Sequence, residues 1–284
     1  MWKNFFLTRI WKRVYIERLG EPIIYNIVSL FYLLFGSFAK KIEYDLVPRH
    51  PYAFGVDLAF QNAALEKIEK ILIIEFGVAS GGGLFNLAYI ASKLSKIYNI
   101  DYEVIGFDTG KGMPSPADYK DHPEKYRAGD FPPLSLSEKK LPNKTKIYYG
   151  EIDETVNLIK SYNKKGVKIG FVAVDVDYYT STVSCLKSLL FEQSMYLSST
   201  VLYFDDIYDI DHNEFCGVLL AINEFNQTNN FRKICIMRQL KDWRIFKNAV
   251  WLDQMYFLHV LDSSYRDPEK WKNSKKMILT NPYL

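Results

Sequence analysis

Residues 71–83, ILIIEFGVASGGG, pass from an unbroken apolar run to a single acid and then to four glycines within seven residues. So continuous an apolar run reads as a strand covered on both faces, hence a parallel sheet with helices on either side. Glycines straight after it let the backbone turn sharply and approach a ligand that a side chain would keep away.

The pattern recurs down the chain. Strand-like ILIIEF, YEVIGFD, KIYYG, IGFVAVDVD and TVLYFDD alternate with helix-like GLFNLAYIASKLSKIY, EIDETVNLIKSY, STVSCLKSLLFEQ and CGVLLAINEFNQ, as in a doubly wound sheet. A helix over 56–69 leads into the first strand, and PRHPYAFG at 48–55 reads as a turn-rich entry. The last two apolar runs, 232–240 and 249–261, flank a short polar connector and read as a hairpin. The expected fold is α/β: a Rossmann-like doubly wound, mainly parallel seven-stranded sheet with an antiparallel last strand, plus an N-terminal helical extension. The divisions are 1–55 for the extension, 56–262 for the main domain and 263–284 for a tail. The proline-rich stretch 109–144 is either a substrate lid or a surface insertion.

Composition narrows the partners. With 36 Lys and Arg against 33 Asp and Glu, the net charge of +3 gives no reason to expect nucleic acid. Cys185, Cys216 and Cys235 lack the pairing of a zinc site or disulfide framework and read as reduced thiols of a cytoplasmic protein. No cleavage site follows a short apolar core near the N-terminus, so export is not expected. Residues 22–38, PIIYNIVSLFYLLFGSF, are apolar between Arg18 and Lys40–Lys41 but marginal for a membrane span. They read as a helix packed on the main domain, as a homodimer surface, or as a peripheral contact with the inner membrane face.

In an open α/β sheet, ligands sit beyond the carboxyl ends of the strands. Those ends are acidic here: Glu75, Asp108, Asp175 with Asp177, and Asp205 with Asp206. Such a concentration is costly by mutual repulsion unless a cation or a hydroxyl-rich ligand sits among the carboxylates. The glycine spacing, Gly77 then Gly81, Gly82 and Gly83, departs from the dinucleotide fingerprint. Glu75 would also oppose a pyrophosphate, whereas S-adenosylmethionine brings cationic groups and no phosphate. Asp108, 25 residues after Gly83, is placed to accept from ribose hydroxyls, unless it only caps its own loop. Glu151 either borders an adenine pocket or is a first-turn helix acid. Three of the carboxylates Asp175, Asp177, Asp205 and Asp206 could supply hard oxygen ligands to Mg²⁺, which would lower the pKa of an alcohol. Asp177 or His212 would then accept the proton, although a lone histidine is also common as a structural residue.

The segments EFGVASGGG, GFDTGKGMP, GEIDETV, VDVDYYTST, YFDDI and GVLLAINEF, in that order over about residues 70–228, resemble the macrocin O-methyltransferase family of class I S-adenosylmethionine-dependent methyltransferases. The resemblance implies methyl transfer from S-adenosylmethionine to a hydroxyl, typically of a sugar, assisted by Mg²⁺. It puts Glu75, Gly77 and Gly81 on the methionine portion, with Ala79 and Gly82 in the same loop, and Asp108 beside Thr109 on the ribose. Asp175, Asp205 and Asp206 would hold the metal, with Asp177 beside the reacting hydroxyl. DVDYYTST departs from the family pattern, which has glycine between the aspartates and an acid before the Ser-Thr pair. Two rivals stand against this reading: a metal-dependent glycosyltransferase using Asp175 and Asp177, and a non-catalytic membrane-surface binding protein.

Overall fold

A computed structural model describes residues 15–132, 141–163, 166–207 and 212–275. Most of the opening basic-aromatic segment, residues 133–140 of the 109–144 stretch and the end of the tail lie outside the described residues.

The strands are β1 (Lys70–Phe76), β2 (Asp101–Asp108), β3 (Thr145–Tyr149), β4 (Lys168–Val174), β5 (Tyr196–Phe204), β6 (Arg232–Ile236) and β7 (Met255–Val260). They form one sheet in the order β3-β2-β1-β4-β5-β7-β6, in which β7 runs antiparallel to both neighbours. This is the Rossmann-like arrangement expected from the alternation. Side-chain alternation buries both faces. Ile71 and Ile73 of β1 enter one core with Phe171 and Ala173 of β4, while Leu72, Ile74 and Phe76 enter the other with Val172 and Val174. Helices α1 (Ile23–Phe35), α2 (Phe38–Glu43), α3 (His50–Glu66), α4 (Gly82–Tyr98), α5 (Tyr179–Leu186) and α6 (Gly217–Thr228) complete the frame. Residues of α3 and α4 line the first core, and residues of α5 and α6 the second.

Several boundaries differ from the sequence expectation. The presumed turn at 48–55 is largely the start of α3, because Pro51 in a first helical turn gives up no hydrogen bond. β4 stops at Val174 rather than Asp177. Asp177 is left-handed, with φ 58°, and its N–H donates to Asp206 Oδ2 at 2.8 Å instead of to a ladder. β5 starts at Tyr196 because its polar beginning is satisfied by a side chain of α3: Ser198 N and Oγ both donate to Glu66 Oε1, at 2.7 and 2.6 Å. The expected helix at 151–162 is a series of short turns, Ile152–Thr155, Val156–Ile159 and Lys160–Asn163. β6 and β7 do pair, but helical turns at Leu240–Trp243 and Val250–Gln254 lie between them.

That connector fastens the N-terminal helices. Arg244 donates to the carbonyls of Ile42 and Glu43, both at 2.9 Å, and to Asp45 Oδ1 at 2.6 Å. Both charged side chains are more than nine-tenths buried. Burial pushes the Asp45 carboxyl up, against the pull of Arg244 and Arg18. Removing one member of such a pair strands the other charge. Asp45→Ala is expected to cost about 3–5 kcal/mol in urea denaturation, and Asp45→Leu with Arg244→Met to recover most of it. Equal losses in the single and double variants would deny the coupling.

Candidate active site

The hydrogen-bond ladder continues past the strand ends and sets the acids in place. Gly77 N donates to Phe107 O (2.9 Å), Asp175 N to Phe76 O (3.0 Å) and Asp205 N to Val174 O (3.1 Å). The residue following each strand is thereby fixed against its neighbour, at the sheet edge where ligands bind in this architecture. Gly77 has φ +85°, and a Cβ there would lie 1.7 Å from Asp175 O. No other residue type fits that crossing of backbones.

A cavity of about 660 Å³ opens over this edge. Gly77, Ala79, Asp108 and Thr109 line it, as do Asp175, Asp177, Asp205, Asp206 and His212. The structure therefore gathers nine of the expected site residues around one space.

At the glycine-loop end, Asp108 is heavily engaged. Its Oδ2 accepts from Val78 N (3.0 Å) and Ala79 N (2.8 Å), and its Oδ1 from Gly110 N (2.7 Å). A carboxylate has about four acceptor positions, so about one remains, on Oδ1. Asp108 both braces the loop and retains capacity for a ligand hydroxyl. Glu75 lies below the loop rather than on the cavity wall, 1% exposed, with Tyr52 Oη donating to its Oε1 at 2.9 Å. Gly83 makes the space, since a Cβ there would fall 1.8 Å from Glu75 Oε1. Glu75 Oε2 is buried without a hydrogen-bond partner. Burial pushes this carboxyl up to about 8, only partly offset by Tyr52 and Arg49.

At the opposite end, one carboxylate oxygen from each of Asp175, Asp205 and Asp206 lies within 4.8 Å of the others. Burial first, then repulsion from Asp205, Glu75 and Asp177, holds the Asp175 carboxyl well above its ordinary range. Asp206 is raised likewise, by burial and then by Asp177, Asp175 and Asp205. Tyr203 Oη donates to Asp205 Oδ1, and its ring meets that of Tyr52 edge-on at 5.2 Å. Two buried tyrosines thus join the two acidic ends through α3.

The described part of the 109–144 stretch is docked over the cavity rather than splayed into solvent, and Met113, Pro114, Tyr126 and Phe131 line the wall. Its anchor is Asp121, fully buried, whose Oδ1 accepts from Thr180 N (2.9 Å) and Thr180 Oγ1 (3.0 Å). Asp121 caps the first turn of α5 from a distant segment. The adjacent His122 ring stacks on His212 with centroids 5.5 Å apart.

Other expectations fall away from the cavity. Gly81, buried at φ +83°, shapes the turn into α4, and Gly82 is exposed beside Arg49; neither lines the space. Glu151 is exposed before a short helical turn, and its neighbour Ile152 contributes instead. Tyr178 and Tyr179 do not line the cavity either. Tyr178 is fully buried against Tyr126, and Tyr179 Oη donates to Glu224. Sequence reasoning missed Tyr52, Tyr203 and Gln254. The only available signal was the position of Tyr203, two residues before the Asp205–Asp206 pair.

No protein-family model matches the sequence, and no curated protein sequence matches it. Among solved structures, the chain is similar to the calicheamicin methyltransferase CalS11 at 16% identity and TM-score 0.49, over 84% of this chain and 91% of that one. It is also similar to the plantazolicin methyltransferase BpumL in complex with a monoazolic desmethylPZN analog and SAH, at 13% identity and TM-score 0.26. That likeness covers 64% of this chain and 57% of that one.

A carboxyl raised from 4.5 to about 8 favours the fold below pH 4.5, and this contribution is lost as pH rises through 8. Ligand-free Glu75→Gln is therefore expected to gain stability over the parent between pH 4.5 and 8. The gain should level off above 8 at a size on the order of 5 kcal/mol. Melting curves across that range check it, and a pH-independent difference would contradict the buried protonated acid.

Proposed function

We propose that this chain is an S-adenosylmethionine-dependent O-methyltransferase, assisted by Mg²⁺, that acts on a hydroxyl of a sugar or related small molecule. The observation that carries the reading is one cavity joining a glycine loop over an unsatisfied buried acid to a cluster of three carboxylates. The donor chemistry fits both groups. The partnerless Glu75 Oε2 beneath the loop suits an ammonium donor, and three mutually repelling carboxylates suit a hard divalent cation. A nucleotide-sugar transferase would instead bring a diphosphate to this acidic rim and leave the Glu75 site without a purpose.

When bound, S-adenosylmethionine supplies an electrophilic methyl group, and Mg²⁺ supplies positive charge that lowers the pKa of an alcohol oxygen. Asp108 would accept from the ribose through the position left on Oδ1, and Glu75 would pair with the amino group. Asp175, Asp205 and Asp206 would hold the metal. Asp177 and His212 both line the cavity beside that cluster and are the candidate proton acceptors for the acceptor hydroxyl. The docked segment with Met113, Tyr126 and Phe131 excludes water and presses the acceptor towards the donor. Holding two reactants in line is worth ~7–11 kcal/mol, so orientation supplies the main catalytic effect.

Calorimetric titration with S-adenosylhomocysteine is expected to show one site, and Asp108→Ala to abolish it by losing both the ribose contact and the loop brace. Folded parent protein that binds neither S-adenosylhomocysteine nor S-adenosylmethionine would overturn the assignment.

Asp175→Asn separates the metal from the cofactor. It relieves repulsion among the carboxylates, so its melting temperature without Mg²⁺ is expected to equal or exceed the parent's, and added Mg²⁺ to leave it unchanged. S-adenosylhomocysteine binding should persist while turnover falls by at least about 100-fold. Turnover equal to the parent's would remove the metal role.

A further inference from the structure

Helix α1 is built inside out. At 100° per residue, Ile23, Ile24, Ile27, Leu30, Phe31, Leu34 and Phe35 fall within an arc of about 140°. All are exposed, Ile23, Leu34 and Phe35 at more than 70%. The face turned to the protein is the more polar one, and Ser29 is the helix's one buried residue. Ser29 Oγ donates to Tyr25 O at 2.7 Å, Tyr25 meets Phe246 edge-on, and Tyr32 packs on Tyr44 with centroids 4.7 Å apart. A water-exposed helix places its apolar residues the other way round.

The helix is not loosely attached. Arg18, just before it, lies over the Phe246 ring and donates to the carbonyls of Tyr44 and Asp45. Glu21 Oε1 accepts from Lys247 N and Asn248 N. The apolar face is therefore held outward by a rigid mount, and burying it on the body would require those contacts to break.

Charge selects the occupant. Residues 1–16 contain Lys3, Arg9, Lys12 and Arg13, with Trp2, Phe5, Phe6 and Trp11, and no acid before Glu17. Lys40 is exposed just beyond the far end of α1. Basic and aromatic residues next in sequence to an apolar strip match the boundary of an anionic bilayer, where aromatic rings sit at headgroup depth and lysines meet negative lipid. The 13-residue helix presents a strip about 20 Å long and about 10 Å wide. It is too short to cross a bilayer, and among the described residues no helix is long and apolar enough to span a membrane.

We infer that α1 lies in the plane of an anionic phospholipid surface with its Ile23–Phe35 face in the acyl boundary, mounting the protein as a peripheral membrane protein. The inference does not rest on the reading of the cavity, and either can fail alone.

The test is co-sedimentation of the full chain with vesicles of phosphatidylethanolamine and phosphatidylglycerol, against vesicles of phosphatidylcholine alone. Binding to the anionic vesicles is expected, weakened by salt. Ile24→Ser, Ile27→Ser and Phe31→Ser combined should lower the partition by more than about tenfold. These positions are exposed, so melting temperature and S-adenosylhomocysteine titration should match the parent and exclude misfolding. Lys3→Gln, Arg9→Gln, Lys12→Gln and Arg13→Gln combined should remove the preference for anionic lipid. Parent protein that stays in the supernatant, or an apolar variant that pellets as well as the parent, would overturn the inference. So would light scattering that shows a dimer dissolved by the apolar substitutions, which would assign the face to a second copy.

Discussion

The carboxylates at the ends of β1, β2, β4 and β5 are crowded because the sheet's own hydrogen bonds run to the end of each apolar run and, at β4 and β5, one residue beyond it. Asp175 and Asp205 cannot relax apart without giving up backbone bonds to Phe76 and Val174. Gly77 admits the Asp175 carbonyl so closely that the neighbouring strand end cannot move away. Burial together with like charge then holds Asp175 and Asp206 towards their protonated forms. Such an arrangement stores unfavourable electrostatic energy that a cation would release. Much of the surrounding structure serves to keep the carboxylates there, including the Tyr203 hydroxyl on Asp205 and the Asp177 N–H on Asp206.

The two acidic centres depend on different physics. Glu75 is nearly isolated from water, and its perturbation comes mainly from desolvation. The Asp175 cluster adds mutual repulsion and stands at the cavity wall. A buried lone acid suits one organic cation that enters with its own hydrogen bonds, while clustered acids suit a small ion of high charge. Tyr52 and Tyr203 connect the two through the first core, so a shift of α3 would be felt at both.

The strands themselves were legible because each parallel strand is a near-continuous apolar run and its punctuation is acidic or glycine-rich, whereas their order within the sheet was not. Boundaries were less so wherever a side chain some distance away in sequence settled the matter. Glu66 satisfies the start of β5, and Asp206 takes the N–H that would have prolonged β4. Of the site residues, those immediately after strands were found by position alone. Gly81, Gly82 and Glu151 do not line the cavity, because proximity in sequence to a ligand-facing loop does not say which way a residue faces. Tyr52 escaped because Pro51 made the first turn of α3 look like a loop. Asp121 escaped because its partner, Thr180, lies 59 residues further along the chain.

The Asp121–Thr180 contact explains how a long connection can be part of a site. A segment of this length is entropically expensive to order, and a single buried cap on α5 fixes it at its middle. The capped turn directly follows Asp175–Val176–Asp177, so the same few residues that present the carboxylates also hold the segment above them. His122, the next residue along, then stacks on His212 beyond the Asp205–Asp206 pair. The docked segment, the carboxylates and the histidine therefore form one mechanical unit, and displacement of the segment by an acceptor would be transmitted to the residues proposed to take its proton.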